Sequence, residues 1–340
     1  MKIVILAAGF GSRLWPLSTS DKPKQFQPLL AGQSPLQYTY NLCRQVTSDS
    51  ELYVLTLQDL AHLVPEQLPH LPVRQLICVP ERRNTLPHTI FALNTIADMP
   101  DEPILFTTVD HLITQEDVYV ASIRQLIQDT HDLRAVTLVG NRSSVHDPNA
   151  GYFVIDENHK ILRFKEKPGE QDMAALAQSG KEVLKDTAMF LASKTTFDAA
   201  LATFPGEVSS PGRALLAASA KERTDRFLAM PFVDIATGFY EQAANIRAVL
   251  SDGDFIDLGS FGSLYKTGTK DAQGNVITGN VVVDAASRGN YIFNQTDAPL
   301  VVINTSDSVI VQTGHGTVVA PNSDVNTVGE IYKSKIHAKR

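Results

Sequence analysis

The chain has 340 residues, 43% of them hydrophobic and 20% charged, enough apolar material for a sizeable core and for two domains. Its formal net charge of -7 gives no broad attraction to nucleic acid or an anionic membrane, so an anionic ligand has to be held by a local cluster of cations. Two cysteines, Cys43 and Cys78, exclude a disulfide framework and point to a reducing, cytoplasmic setting, and the N-terminal apolar run meets glycine at Gly9, too soon for a signal peptide or membrane span.

In chain order, residues 2–8, 51–57, 75–80, 103–110 and 133–140 are apolar runs without strict polar alternation, as expected of strands covered on both faces. Between them the spacing predicts helices. Residues 34–46 have Ser34 as N-cap, Pro35 at the first helical position and Gln37 completing a capping box, with Leu36, Tyr40, Cys43 and Val46 on one face. Residues 84–99 repeat Ile90, Leu93 and Ile96, and residues 114–128, capped by Thr114 with Asp117, repeat Val120, Ile123 and Ile127. Strand and helix in series predict a Rossmann-like α/β domain over 1–265, with a mostly parallel mixed sheet. From 266 to 340 short β-rich runs arrive about every ten residues with no helical stretch between them, predicting a small all-β module, left-handed β-helix-like, with a structural or oligomerising role.

The stretch Ile5–Phe26, ILAAGFGSRLWPLSTSDKPKQF, runs from a strand into Gly9, Phe10, Gly11 and Ser12, where the backbone can approach a ligand and aim N–H groups at phosphate oxygens. A dinucleotide fingerprint wants glycine where Leu14 stands, and a P-loop wants Gly-Lys-Ser/Thr after four spacers; neither fits. Instead come Arg13, a fork of fixed donors, and Lys24, a mobile point charge just beyond Pro23, a pair suited to a polyphosphate. Other candidates have two readings each. Asp110 and Asp257 are turn aspartates or oxygen ligands for a cation; Arg83, Asn84 and Thr85 are a helix cap or an anion-facing N-terminus; Glu166 and Lys167 before Pro168 are an exposed turn or a sugar-phosphate contact.

The motif LAAGFGSRLWPLS...KPKQF resembles the signature of sugar-1-phosphate nucleotidyltransferases, most closely the mannose-1-phosphate guanylyltransferases. The resemblance continues through PERRNTLPHTIFAL, TTVDHLI, GYFVIDENHKILRFKEKP, DTAMFLA, PFVDIATGFYE and FIDLGSF, nearly the whole chain in order. It implies transfer of a nucleotidyl group from GTP to mannose 1-phosphate with release of pyrophosphate, and Mg2+ as cofactor. By the resemblance Leu6, Ala8, Gly9, Gly11, Ser12, Arg13, Arg83, Asn84 and Thr85 bind the nucleotide, and Arg13 and Lys24 are catalytic. Gly151, Glu166, Lys167 and Asp186 bind the sugar phosphate, and Asp110 and Asp257 hold the metal. Departures from the family pattern are Ala8 for glycine, Thr108 for proline, His88 for alanine, Asp186 for asparagine, Ala188 for glycine, and Phe255 and Phe261 for tryptophans. The resemblance also implies no fused isomerase domain in a chain of this length, and a homo-oligomer formed through the β-rich module. Two other readings stay open: a uridylyl- or thymidylyltransferase acting on glucose 1-phosphate, and a nucleotide-sugar-binding regulatory paralogue without catalysis.

Overall fold

The structure is a computed structural model that describes all residues except 31, 98, 130–133, 143–146, 205, 252–254 and 337–340. The chain forms two compact units, the first from Met1–Ala8, Thr39–Val109 and Ile113–Phe255, the second from Gly9–Tyr38, Asp110–Leu112 and Ile256–Arg340. This division differs from a cut at 265/266, which would fall inside the helix Phe261–Thr267.

Among the described residues the strands are β1 (Lys2–Leu6), β2 (Leu52–Leu57), β3 (Leu76–Val79), β4 (Ile104–Thr108), β5 (His111–Ile113), β6 (Thr137–Asn141), β7 (Tyr152–Ile155), β8 (Ile161–Lys165), β9 (Glu182–Ala192), β10 (Arg247–Leu250), β11 (Phe255–Asp257), β12 (Val276–Gly279), β13 (Val281–Val283), β14 (Tyr291–Asn294), β15 (Leu300–Val302), β16 (Ser308–Thr313) and β17 (Gly316–Pro321). In the first unit a mixed sheet runs β10-β6-β9-β4-β1-β2-β3, with β7 joined to β9 and β8 to β7. Its β4-β1-β2-β3 half is parallel, and all five residues of β1 are buried, which is why the predicted runs lack alternation. The other half makes the sheet mixed, as expected. Strand β6 is parallel to β10 but antiparallel to the eleven-residue β9, which also runs antiparallel to β4. The strand predicted at 133–140 is observed at Thr137–Asn141, and residue 133 lies outside the described residues. The predicted helices form at Pro35–Arg44, Thr85–Ile96 and Glu116–Asp129. The Ser34–Gln37 capping box closes both ways, the Gln37 N–H donating to Ser34 Oγ at 3.1 Å and the Ser34 N–H to Gln37 Oε1 at 3.0 Å.

In the second unit β12, β14 and β16 stack in parallel, with Val276 opposite Tyr291 and Tyr291 opposite Val309, while β13 and β15 form a second parallel ladder. The chain therefore coils through two sheets, and β17 turns back antiparallel on β16. Asn275 and Asn290 brace successive coils, Asn290 Nδ2 donating to Asn275 Oδ1 at 2.9 Å. Contrary to the all-β expectation, a short helix, Val328–Ile331, follows the coil. The module also shares its core with the glycine-loop stretch. Leu14 and Leu17 from the glycine-loop stretch are buried in one apolar cluster with Leu258, Phe261, Val276, Val309, Val311, Val325 and Val328. Cys43 and Cys78 are free, and burial pushes the Cys43 thiol up to about 12, so it is an inert core thiol. Among the described residues no helix is long and apolar enough to cross a membrane.

Candidate active site

In the second unit the two halves of the opening stretch fold onto each other. Gly11 adopts φ +65, and a Cβ there would sit 2.8 Å from both Lys24 Cγ and Ser18 Oγ, so only glycine lets the turn close on Lys24. Ser18 Oγ donates to the Phe10 carbonyl at 2.8 Å and accepts from the Lys24 N–H at 3.0 Å; Gln25 Nε2 donates to the Gly9 carbonyl at 3.0 Å. A Cβ on Gly9 would meet nothing within 4 Å, which leaves open space over that backbone.

Two cations and two carboxylates meet in this unit. The buried Lys24 places Nζ 2.9 Å from Asp110 Oδ1, and Arg13, on the turn Ser12–Leu14, places Nη2 3.7 Å from Asp257 Oδ2. The Leu258 N–H donates to the Asp110 carbonyl at 2.7 Å, tying the two aspartate segments together. Burial pushes the Asp110 carboxyl up, but the charge and hydrogen bond of Lys24, with His111 and Arg13 behind them, outweigh it and hold the group below its ordinary value. A Cβ on Gly259 would lie 2.6 Å from Arg13 Nη2 and 2.8 Å from both Asp257 oxygens, so glycine leaves the carboxylate and guanidinium room.

The expected sugar-phosphate residues form a second cluster, in the first unit. A Cβ on Gly151 would meet Phe164 Cζ at 2.6 Å and Glu166 Oε2 at 2.9 Å; its carbonyl accepts from the Asp186 N–H at 2.9 Å. Lys167 Nζ lies 3.0 Å from Glu166 Oε1. Burial raises the Glu166 carboxyl; Lys167 opposes, and Asp234 and Glu241 raise it further. Burial and then the charge of Glu166 push Asp186 up to about 7, against the N–H groups of Ala188 and Thr187. Asp186 is therefore poised between the neutral acid and the carboxylate near neutral pH.

Arg83, Asn84 and Thr85 form a third group, tied to the segment 230–235. Arg83 Nη1 donates to the Met230 carbonyl at 2.9 Å, its Nη2 lies 2.5 Å from Glu81 Oε1, and the Ile235 N–H donates to Thr85 Oγ1 at 2.8 Å. Asn84 caps the helix, its Oδ1 accepting from the Thr85 N–H at 2.8 Å. His88 is a core histidine, stacked on Phe227 at 5.9 Å; burial lowers it to about 4, so it stays neutral under the cap. Leu6 and Ala8, from the end of β1 and just beyond, are buried.

Three non-glycine residues of these groups, Asn84 (φ 69), Lys167 (φ 46) and Ala188 (φ 54), hold left-handed backbone, a strain that clusters at ligand sites. Sequence reasoning missed Glu241, whose Oε1 accepts from the Glu166 N–H at 2.9 Å, and Asp234. Both lie in the PFVDIATGFYE motif, whose acidic residues carry no role in the sequence reading.

A family model described as nucleotidyl transferase matches residues 2–274. Mannose-1-phosphate guanylyltransferases from Sinorhizobium fredii (strain NBRC 101917 / NGR234) and Escherichia coli are 28% and 29% identical, over 97% and 93% of this chain and 66% and 70% of their own lengths. The chain thus spans about two thirds of these curated relatives. A solved structure described as mannose-1-phosphate geranyltransferase from Thermus thermophilus shares the fold, with a TM-score of 0.82 at 21% identity over 98% of each chain. With the family model covering most of its length, the chain belongs to the nucleotidyl transferase family.

Proposed function

We propose that this nucleotidyl transferase is a mannose-1-phosphate guanylyltransferase, joining GTP and α-D-mannose 1-phosphate into GDP-mannose and pyrophosphate. The observation that carries the reading is the meeting of Arg13, Lys24, Asp110 and Asp257 beside the glycine turn; the relatives' names supply the substrate pair. A phosphate oxygen of the sugar 1-phosphate attacks the α-phosphorus in line, the bond to the β-phosphate oxygen breaks, and pyrophosphate leaves with the electron pair. The nucleophile is already anionic, so no side chain has to remove a proton. The barrier lies in bringing polyanions together and in charge shifting to the leaving group, which is work for fixed cations. Lys24 meets the α-phosphate and Arg13 the departing pyrophosphate; Asp110 and Asp257 hold these cations ready, so little reorganisation is needed when phosphates arrive. Gly9, Gly11 and Ser12 offer backbone to the triphosphate. Leu6, Ala8, Arg83, Asn84 and Thr85 belong to the nucleotide side in this reading.

The donor set fits Mg2+. Among the described residues no group of three or more His, Cys, Asp and Glu forms a metal cage, and Mg2+ favours one or two carboxylates plus substrate phosphates. Asp110 is held ionised, and the Asp110 and Asp257 carboxylates both stay partly open to solvent. Asp110 and Asp257 would hold the ion, which when bound supplies neutralisation of phosphate charge. On the sugar side Glu166 and Asp186 accept from or donate to hydroxyls, and Lys167 meets the sugar phosphate. A cytoplasmic enzyme, self-associating through the β coil, completes the reading.

The test is pyrophosphate release from GTP that depends on mannose 1-phosphate and on Mg2+. Tight binding of GTP and GDP-mannose with no release would favour a regulatory binder instead.

A further inference from the structure

Arg13 lies on a single three-residue turn whose N-cap, Gly11, supplies no side-chain hydrogen bond. Such a turn does little by itself to fix where a long side chain points. The fixing comes from more than three hundred residues away in sequence. Phe10 and Trp15, which flank the turn, both pack on the buried ring of Tyr332, with centroids at 5.5 and 5.9 Å. Between them the helix Val328–Ile331 lies on Arg13 itself: a Cβ on Gly329 would sit 3.0 Å from Arg13 Cγ and 3.4 Å from its Cα and N. Two further contacts come from the coil. A Cβ on Gly316 would lie 2.8 Å from the Trp15 ring, and Thr313 Oγ1 donates to the Pro16 carbonyl at 3.4 Å. Val325 and Val328 share the apolar cluster that buries Leu14 and Leu17.

We propose that the segment Val328–Tyr332 is a positioning element for Arg13, with Gly329 admitting the helix onto the arginine stem and Tyr332 clamping both ends of its turn. The stem is held from this side while Asp257 holds the guanidinium. The segment thus enters the chemistry through Arg13 without touching substrate. This rests on the phosphate role of Arg13 given above. A donor aimed at developing charge loses most of its effect when displaced by about an ångström, whereas substrate affinity, spread over many contacts, changes little.

The test is a double-mutant cycle on the full chain, measuring kcat, KM and melting temperature with GTP and mannose 1-phosphate. Tyr332→Ala is expected to lower kcat about tenfold with KM for mannose 1-phosphate within about twofold, and Tyr332→Phe, which keeps the ring, to stay within about threefold of wild type. Gly329→Ala is expected to lower kcat roughly three- to tenfold, and it decides the matter if Tyr332→Ala does not fold. On an Arg13→Ala background both losses should shrink to less than about twofold, because the residue through which they act is gone. The inference is overturned if folded Tyr332→Ala or Gly329→Ala enzymes turn over at the wild-type rate, or if their losses multiply in full with that of Arg13→Ala. An Arg13→Ala enzyme as fast as wild type would instead remove the phosphate role, and this inference with it.

Discussion

Around Arg13, two cations meet two carboxylates, one to one. Around Asp186, burial and the charge of Glu166 push the carboxyl up, and burial with the charges of Asp234 and Glu241 pushes Glu166 up against its cation Lys167. The same residue types reach opposite states in the two regions. In the first, Lys24 outweighs burial and keeps Asp110 ionised; in the second, burial and crowding win, and Asp186 moves up to about 7. Paired charges suit the stabilisation of moving phosphate charge. A crowded pocket in which Asp186 sits near its midpoint suits neutral hydroxyls, because such a group can donate or accept. In the function proposed above, the two regions divide the work, one assigned to transfer and the other to the choice of sugar.

The sharpest way to break this comparison is to remove the cations. Lys24→Ala should lower kcat by roughly a hundredfold or more, about 2 to 4 kcal/mol, since its charge is withdrawn from the transition state and Asp110 is left unpaired. A kcat within twofold of wild type would take Lys24 out of the mechanism. Next come the carboxylates. Asp110→Asn and Asp257→Asn should each lower activity about tenfold or more and raise the Mg2+ concentration needed, and the double variant should be little worse than the worse single, because both act on one ion. Full multiplication of the two losses would mean that they act separately.

Asp186 carries the pH test. Its folded value lies above the ordinary carboxyl value of 3.8, so between about pH 4 and 7 the folded chain holds a proton that the unfolded chain has lost. Stability is thus lost as pH rises through that window and then levels off. Asp186→Asn should abolish the loss and make the protein more stable at pH 8 by on the order of 4 kcal/mol, with little change at pH 4, as chemical denaturation at the two pH values would report. Equal gains at both pH values would deny Asp186 its upward shift. The smallest effect belongs to Ala188, whose φ of 54 strains any L-residue. Ala188→Gly should stabilise by about 0.5 to 1 kcal/mol, the left-handed penalty less the extra entropy of glycine. A lower melting temperature would show the strain to be relieved by contacts of the alanine methyl.

Much of the cation region was legible in the sequence because its parts are local. Gly11, Arg13 and Lys24 lie within one stretch whose glycine and proline punctuation announces a turn, and β1 announces itself by the unbroken apolar run of residues 3–8 ahead of Gly9. The parallel strands were legible for the same reason. Strand β9 was not: it pairs antiparallel with β4 and β6, a long-range choice that leaves no mark on its own residues. Glu241 was invisible as a partner of Glu166, 75 positions away, because that bond depends on tertiary placement. The grip of Tyr332 on Phe10 and Trp15 was equally hidden, since a pairing of rings more than three hundred positions apart leaves no local pattern. Ala188 and His88 stood out as departures, but only backbone angles and burial give them their physical meaning.

The division of work is tested most directly by one grid of kcat/KM values: GTP, ATP, UTP and dTTP against mannose, glucose, N-acetylglucosamine and fucose 1-phosphates, for wild type, Arg13→Ala and Asp186→Asn. The account predicts GTP with mannose 1-phosphate as the best wild-type pair. It predicts that Arg13→Ala lowers every measurable pair by a similar factor, and that Asp186→Asn reorders the sugars while leaving the order of nucleotides unchanged. A reordering of sugars by Arg13→Ala, or a uniform loss with unchanged sugar order in Asp186→Asn, would contradict it.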